Sequence, residues 1–458
     1  MTTGSGHDLI VLGGGAAGLA AARTGAGLGA RTLLVADGPI GGDCTFTGCV
    51  PSKTLIEHAG RGASFTEAMA AVRGAIQAIA ATETAEVLRG EGIEVLSGRA
   101  AFRSRRMVAV GARELRAGSF VIATGARPAV PPVPGLADVP YLTSDTVFGL
   151  DDPPRSLAVL GGGTTGCELA QAFGRLGVEV TVVEAADRLL PQADPDASGV
   201  IADVFAREGI TVRTGTGVVA AGAASGGVRL ELSGGDPVEA QRLLVAVGRT
   251  PVTDGLGLDA AGVRTGDTGR VITGRRLATT AVGVYAAGDV TGRLQLTHAA
   301  YAMGRVAARN ALGGRRKASY RDDATPRVVF TDPEVAQVGL TVAEAVEAGL
   351  DARVAELPMS DLDRAVTAGR TDGFVRLVAG PRRLLGHRGG GRVLGATIVA
   401  ARAGEMIHEP ALAMRTGMFT GRLAQTVHAY PTWSIAVQQA AAQFFGAYGG
   451  RTARRPER

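Results

Sequence analysis

Cysteine is nearly absent from this chain, with three residues in 458, at Cys44, Cys49 and Cys167. So few, and odd in number, they exclude a scaffold stapled by disulfides. Lysine is rarer still, at Lys53 and Lys317 alone, and arginine supplies nearly all the positive charge. Aromatic residues make up 4%, too few for a platform on which single-stranded bases could stack. Basic clusters occur at Arg315-Arg316-Lys317, at Arg382-Arg383 and along 451–458, scattered and without interleaved aromatics. A net charge of +5 spread in this way reads as a solvated surface, so no nucleic-acid partner is expected. Long apolar runs are missing, as is a basic start followed by an apolar segment. The expectation is a protein without a membrane partner, working in the cytoplasm, where thiols stay reduced.

What is present is a chain long enough for two to four domains, with 46% hydrophobic and 20% charged residues to build their cores and surfaces. Its organising stretch is Gly41-Gly42-Asp43-Cys44-Thr45-Phe46-Thr47-Gly48-Cys49-Val50-Pro51-Ser52-Lys53. Two thiols five positions apart can meet across a helix turn, close into a disulfide and reopen with two electrons. A thiolate beside a helix N-terminus would make such a pair reactive. The alternative is a structural disulfide or two buried apolar thiols. The odd total and the long chain favour a redox pair. Cys167, far away in sequence, reads as a small buried helix residue.

Around this stretch stand two dinucleotide-binding patterns. The run 7–12 has strand character, Gly13-Gly14-Gly15-Ala16-Ala17-Gly18 follows, then an alanine-rich helix to about 28 and a second strand over 31–35. Gly13 would make the tight turn, Gly15 would let backbone approach a pyrophosphate, and Gly18 would allow close helix packing. The phosphates would rest on the helix N-terminus. At the end of the second strand Ala36 stands where an acidic residue is expected, and Asp37 is next in line for the ribose. The pattern repeats after Ser156: strand, Gly161-Gly162-Gly163-Thr164-Thr165-Gly166, helix, strand. Here Gly161, Gly163 and Gly166 take the same roles, and Glu184 ends the strand in place to bind a ribose 2′-OH. No arginine adjoins Glu184, although Arg188 is near, so NADH is favoured over NADPH.

Between the two units, 54–89 reads as helical, with Leu55, Ile56, Met69, Val72, Ile76, Ile79 and Val87 as candidate core. Short strands follow over 93–109, and four prolines within 128–134 mark a domain crossing.

The cysteine stretch is similar to Gly-Gly-x-Cys-x-x-x-x-Cys-x-Pro-Ser-Lys of the class I pyridine nucleotide-disulfide oxidoreductases, which include dihydrolipoamide dehydrogenase, glutathione reductase and mercuric reductase. All its fixed positions are present, Gly42 included. The resemblance extends over about 8–445. Thr124-Gly125 resembles the segment leaving the flavin domain, and Gly248-Arg249-Thr250-Pro251 the Gly-Arg-x-Pro signature closing the nicotinamide domain. Gly288-Asp289 resembles the second flavin signature, and Phe330-Thr331-Asp332-Pro333 the start of the dimerisation domain. The implied fold is α/β, with two Rossmann-like domains for FAD and NAD(P) and a C-terminal α+β dimerisation domain. The expected bounds are 1–150 and 277–325 for FAD, 151–276 for NAD(P), 326–446 for dimerisation, and a disordered basic tail over 447–458.

The resemblance further implies that NAD(P)H reduces FAD and that FAD reduces the Cys44–Cys49 disulfide in a homodimer. Cys49 would face the flavin and Cys44 the acceptor. Lys53 would pair with Glu168 near the flavin ring, and Asp289 would hold the ribityl chain. His298 would be a backbone neighbour rather than a base. One departure stands out. Thiol-handling members carry His-Pro-Thr-x-Ser-Glu, where this chain has Tyr430-Pro431-Thr432-Trp433-Ser434-Ile435. Tyr430 or His428, two residues earlier, would have to serve the outer thiol. Mercuric reductase-like members also use tyrosine here but add a terminal cysteine pair, which this chain lacks; no resident metal site is expected. The acceptor is left as a disulfide, a metal ion or a quinone. Two other readings stay open: a flavin-level quinone or metal reductase independent of the cysteines, and a vestigial subunit of a dehydrogenase complex.

Overall fold

The computed structural model describes residues 6–313 and 317–456, so Arg315 and Arg316 of the basic cluster lie outside the described residues. The opening strand His7–Leu12 is flanked in parallel by Thr32–Ala36 and Arg113–Ile122. Covered on both faces, it carries a continuous apolar run instead of an alternating one. Ile93–Ser97 extends the sheet past Thr32–Ala36, and Val284–Ala286 joins it beyond Arg113–Ile122. The helices Ala16–Gly27 and Thr297–Leu312 share one core, in which Ala17 and Ala21 meet Met303 and Ala307.

A second parallel sheet contains Ser156–Leu160, Glu179–Val183, Thr211–Arg213 and Arg242–Val245. Both expected strand–glycine–helix units therefore form. The second is an insertion in the first, and its two connections, Ala126–Pro128 and Arg249–Pro251, run side by side as an antiparallel pair. This moves the expected boundaries. Leu136 and Val139 pack with Ala158 and Leu160, while Leu256 and Leu258 return to the core of Ile10 and Phe120. The limits at 150 and 276 give way to the crossing itself, at Pro128 and Pro251. Proline suits short connecting strands that need few ladder bonds.

The third part is an antiparallel sheet in the order Arg327–Val329, Glu334–Gly339, Arg392–Ala400, Phe374–Gly380, Arg353–Pro358. Helices His408–Thr416 and Ile435–Ala442 share its core. A separate cluster joins Leu55 and Met69 of the first unit, Leu157 and Phe173 of the second, and Val335 and Phe374 of the third. The three parts thus meet around the helix that follows Cys49.

Two sequence expectations are corrected. In the helical region the apolar stripe is buried through Val72 and half-buried at Ile76, but Ile79 in the last turn and Val87 are exposed, and Leu88 takes the buried place beside Val87. The tail is not disordered through 456. Arg454 and Val354 exchange backbone hydrogen bonds of 2.7 and 2.9 Å, and the Ala453 N–H donates to the Gln443 carbonyl. Composition rich in glycine and arginine conceals such pairing, because it is made by backbone.

Candidate functional site

Glycine places the two cysteines. Gly41 and Gly42 have φ of 112° and 61°, which turns the chain into the short helix Gly42–Phe46 bearing Cys44. Gly48 then caps the helix Cys49–Gly60, so Cys49 is its first residue and Pro51 lies in the first turn, where a missing N–H costs nothing. Both cysteines are free thiols in this structure.

The Cys49 Sγ lies 3.1 Å from the Thr297 hydroxyl, at the first turn of Thr297–Leu312. The Cys49 thiol is pushed down to about 6, first by a hydrogen bond from Cys44, and further by Thr297 and Lys53, against burial. The Cys44 thiol is pushed up, chiefly by the same hydrogen bond and by burial. The pair therefore favours the thiolate at Cys49 and the proton at Cys44.

Lys53 donates to Glu168 at 2.7 Å, across from the helix Thr164–Arg175 of the second unit. The other Glu168 oxygen accepts the Phe330 backbone N–H at 2.8 Å, and the Lys53 ammonium stands 4.7 Å over the Phe330 ring. Glu168, 3% exposed, is thus tied to all three parts of the molecule. Such a buried carboxylate is tolerable because both its oxygens are paired.

The two glycine turns have the same construction. An added Cβ on Gly18 would lie 1.8 Å from the Gly13 carbonyl oxygen, and one on Gly166 would lie 1.8 Å from that of Gly161. In the first unit the Cα atoms of Gly15 and Gly42 face one another, and a Cβ on Gly42 would come within 2.8 Å of Gly15. That bare passage above a helix N-terminus fits a dinucleotide pyrophosphate. Below it, Asp289 is pushed up to about 6 by burial, with Arg249 opposing and Asp43 and Cys49 adding to the rise. Arg249 pairs with Asp43 and donates to the Ala126 carbonyl at 2.6 Å, while its buried Nε has no hydrogen-bond partner. The chain's polar groups here fit a flavin nucleotide.

Other expected residues fall out as follows. Thr124 donates its hydroxyl to the Val252 carbonyl at 2.6 Å, and Gly125 and Gly248, with φ of 71° and 127°, turn the chain at the crossing. Asp37 is exposed just past Thr32–Ala36. The Glu184 carboxylate ends its strand and accepts the N–H groups of Gly162 and Ala186 at 2.6 and 2.8 Å. Arg188 donates to the Pro191 carbonyl at 3.0 Å and pairs with the exposed Asp187, while its Nε has no hydrogen-bond partner. Gly163 faces open space. His298 contacts the Pro326 carbonyl at 2.7 Å, and Cys167 is buried against the Gly162 carbonyl.

The C-terminal pair behaves differently from expectation. Tyr430 is exposed and donates its hydroxyl to Asp363 at 2.7 Å, which raises its phenol above the ordinary value. His428 is largely covered, with Nδ1 2.9 Å from the Thr426 carbonyl and Nε2 3.1 Å from Glu409. Both ring nitrogens are engaged, and the two residues do not share a partner. Phe330 lies in the segment that resembled the start of the dimerisation domain, whereas Thr297, Asp363 and Glu409 carry contacts of the site without a motif of their own.

Residues 7–304 match the family described as pyridine nucleotide-disulphide oxidoreductase, and residues 325–441 match its dimerisation domain. A mercuric reductase from Streptomyces lividans is 36% identical over 467 residues, covering 96% of each chain. A dihydrolipoyl dehydrogenase from Thermus scotoductus is 36% identical, covering 95% of this chain and 96% of that one. Among solved structures, the Cu(II) complex of the flavoprotein disulfide reductase RclA from Escherichia coli has a TM-score of 0.88 at 28% identity, over 96% of this chain and 99% of the other. LpdA from Mycobacterium tuberculosis has a TM-score of 0.88 at 31% identity, over the same shares.

Proposed function

The chain belongs to the pyridine nucleotide-disulphide oxidoreductase family, and we propose that it draws electrons from NAD(P)H to reduce a thiophilic metal ion at the Cys44–Cys49 pair. FAD, when bound, supplies the two-electron chemistry linking nicotinamide to disulfide. Gly13, Gly15, Gly18 and Gly42 would line its pyrophosphate, with Asp289 at the ribityl chain. Gly161, Gly163, Gly166 and Glu184 would hold the nicotinamide nucleotide, with NADH preferred because no arginine adjoins Glu184. Cys49 keeps the inner thiolate, and Cys44 offers the outer sulfur. A homodimer is supported by the match to the dimerisation domain, and the family resemblance would bring Tyr430 of the partner subunit near Cys44. A cytoplasmic setting would keep the dithiol reduced. No helix among the described residues is long and apolar enough to cross a membrane.

What supports a metal acceptor is that, among the described residues, both acids expected to serve the outer thiol are already engaged. A disulfide acceptor requires a proton on its leaving thiolate. The Tyr430 proton is committed to Asp363, and both His428 nitrogens are engaged. A metal cation requires no such proton. Two electrons leave the dithiol for one Hg(II) or for two Cu(II) ions, the Cys44 and Cys49 sulfurs bond to each other, and the Cys44 proton passes to water. The relatives named for mercuric ion and crystallised with Cu(II) are in keeping with this reading.

The test is anaerobic NADH oxidation with Hg(II), Cu(II), lipoamide, glutathione disulfide and quinones, for wild type and Cys44→Ser. The expected result is metal-dependent turnover that falls by about two orders of magnitude or more in Cys44→Ser. Turnover with quinones alone, equal in both proteins, would point instead to a flavin-level reductase.

A further inference from the structure

The helix Thr164–Arg175 presents Glu168, Gln171 and Arg175 along one face, at spacings of three and four. All three hold the segment 330–332 of the third domain. Gln171, 3% exposed, accepts the Asp332 backbone N–H at 2.7 Å and donates to the Asp332 carbonyl at 2.8 Å. Its second N–H donates to Glu208 at 3.2 Å. A buried amide with both donors and its acceptor satisfied is costly to assemble and specific in what it fixes. Arg175 and Arg370 hold the Asp332 carboxylate, so that residue is fixed at backbone and side chain together.

Phe330 lies two residues before this clamp. Its N–H holds Glu168 and its ring lies under Lys53, the two groups that pair beside Cys49. We propose that Gln171 is a positioning residue for the redox pair: by fixing 330–332 it places Phe330, and through Phe330 the Lys53–Glu168 pair that faces Cys49. This deepens the function proposed above, since it concerns the same inner thiol. A buried leucine would pack in place of Gln171 at little cost in volume, but it could not hold the Asp332 backbone.

The groups that face Cys49 are Cys44 on the helix Gly42–Phe46, Lys53 on its own helix, Glu168 on Thr164–Arg175, Thr297 on Thr297–Leu312, and Asp289. Only Lys53 and Glu168 depend on the clamp. Loosening it withdraws the ammonium and leaves the carboxylate less neutralised, and both changes disfavour a thiolate at Cys49.

The experiment titrates Cys49 in the FAD-loaded Cys44→Ser protein, alone and combined with Gln171→Leu or Phe330→Leu. The midpoint is read from thiolate–flavin charge-transfer absorbance and from the rate of iodoacetamide capture at Cys49, followed by peptide mass. The expected result is a midpoint raised in both combinations, with about threefold less thiolate at neutral pH. Phe330→Leu keeps the backbone N–H and carries the test if Gln171→Leu does not fold. An unchanged midpoint in a folded combination overturns the proposal. A missing charge-transfer band would count against Cys49 facing the flavin, and the capture rate would still decide this inference.

Discussion

One proton is divided unequally between two sulfurs, and a hydroxyl helps to decide where it stays. Thr297 stands 3.1 Å from the Cys49 sulfur and favours its charged form. The folded value of about 6 lies below the ordinary thiol value of 9.0. In that window the unfolded chain binds more protons at Cys49 than the native one, so this group's contribution to stability grows as pH rises from about 6 towards 9 and is lost as pH falls. Thr297→Val is expected to raise the Cys49 value and flatten this gain, and Thr297→Ser to restore it. Urea unfolding of the reduced protein at pH 6 and pH 9 measures both, and an unchanged slope in the valine variant would remove Thr297 from the account. Cys44, Cys49, Lys53 and Glu168 were legible because their spacing is tied to glycine, proline and a strand–turn–helix context. The contacts of Thr297, Gln171 and Phe330 were not, because they depend on the direction of side chains brought together from distant segments.

Among elements, the joint between the inserted unit and the third domain includes an ionic cluster besides its apolar contacts and the Gln171 clamp. Arg376, on Phe374–Gly380, reaches Asp194 at 3.0 Å, Asp196 at 2.5 Å and Glu356 at 2.6 Å. Asp194 is 2% exposed and also caps the helix Pro195–Arg207 by accepting the Asp196 N–H. Arg376→Met would leave Asp194 buried without its cation, at a cost of about 3–5 kcal/mol. Asp196→Asn removes a mostly exposed partner and should cost below about 1 kcal/mol. Urea unfolding curves distinguish the two, and equal midpoints would show that the buried pair contributes no more than the exposed one. The strands and helices that build these elements were readable from apolar runs and glycine punctuation. Their joint was not, since an arginine on a strand has no pattern that names its partner on a helix far along the chain.

For the whole molecule, the sequence displayed three parts but misplaced their limits, because residues on either side of the crossing pack with whichever sheet they reach. The third part leaves Leu412, Val427 and Tyr430 exposed at 57%, 94% and 69%. Val427→Glu is expected to shift the protein from dimer to monomer in sedimentation, and to lower metal-dependent turnover at least about tenfold while NADH still bleaches the flavin. Retention of the dimer with full turnover would place the subunit contact elsewhere. A last consequence concerns behaviour at high concentration. Arg353–Pro358 is the outermost strand of its sheet, and an open strand edge is a template for stacking one molecule on the next. The backbone of Arg454 occupies that edge at Val354, and beside it Arg451 pairs with Asp361 and Arg455 with Asp351. The segment 451–455 thereby covers part of a strand edge that would otherwise lie open to a neighbouring molecule.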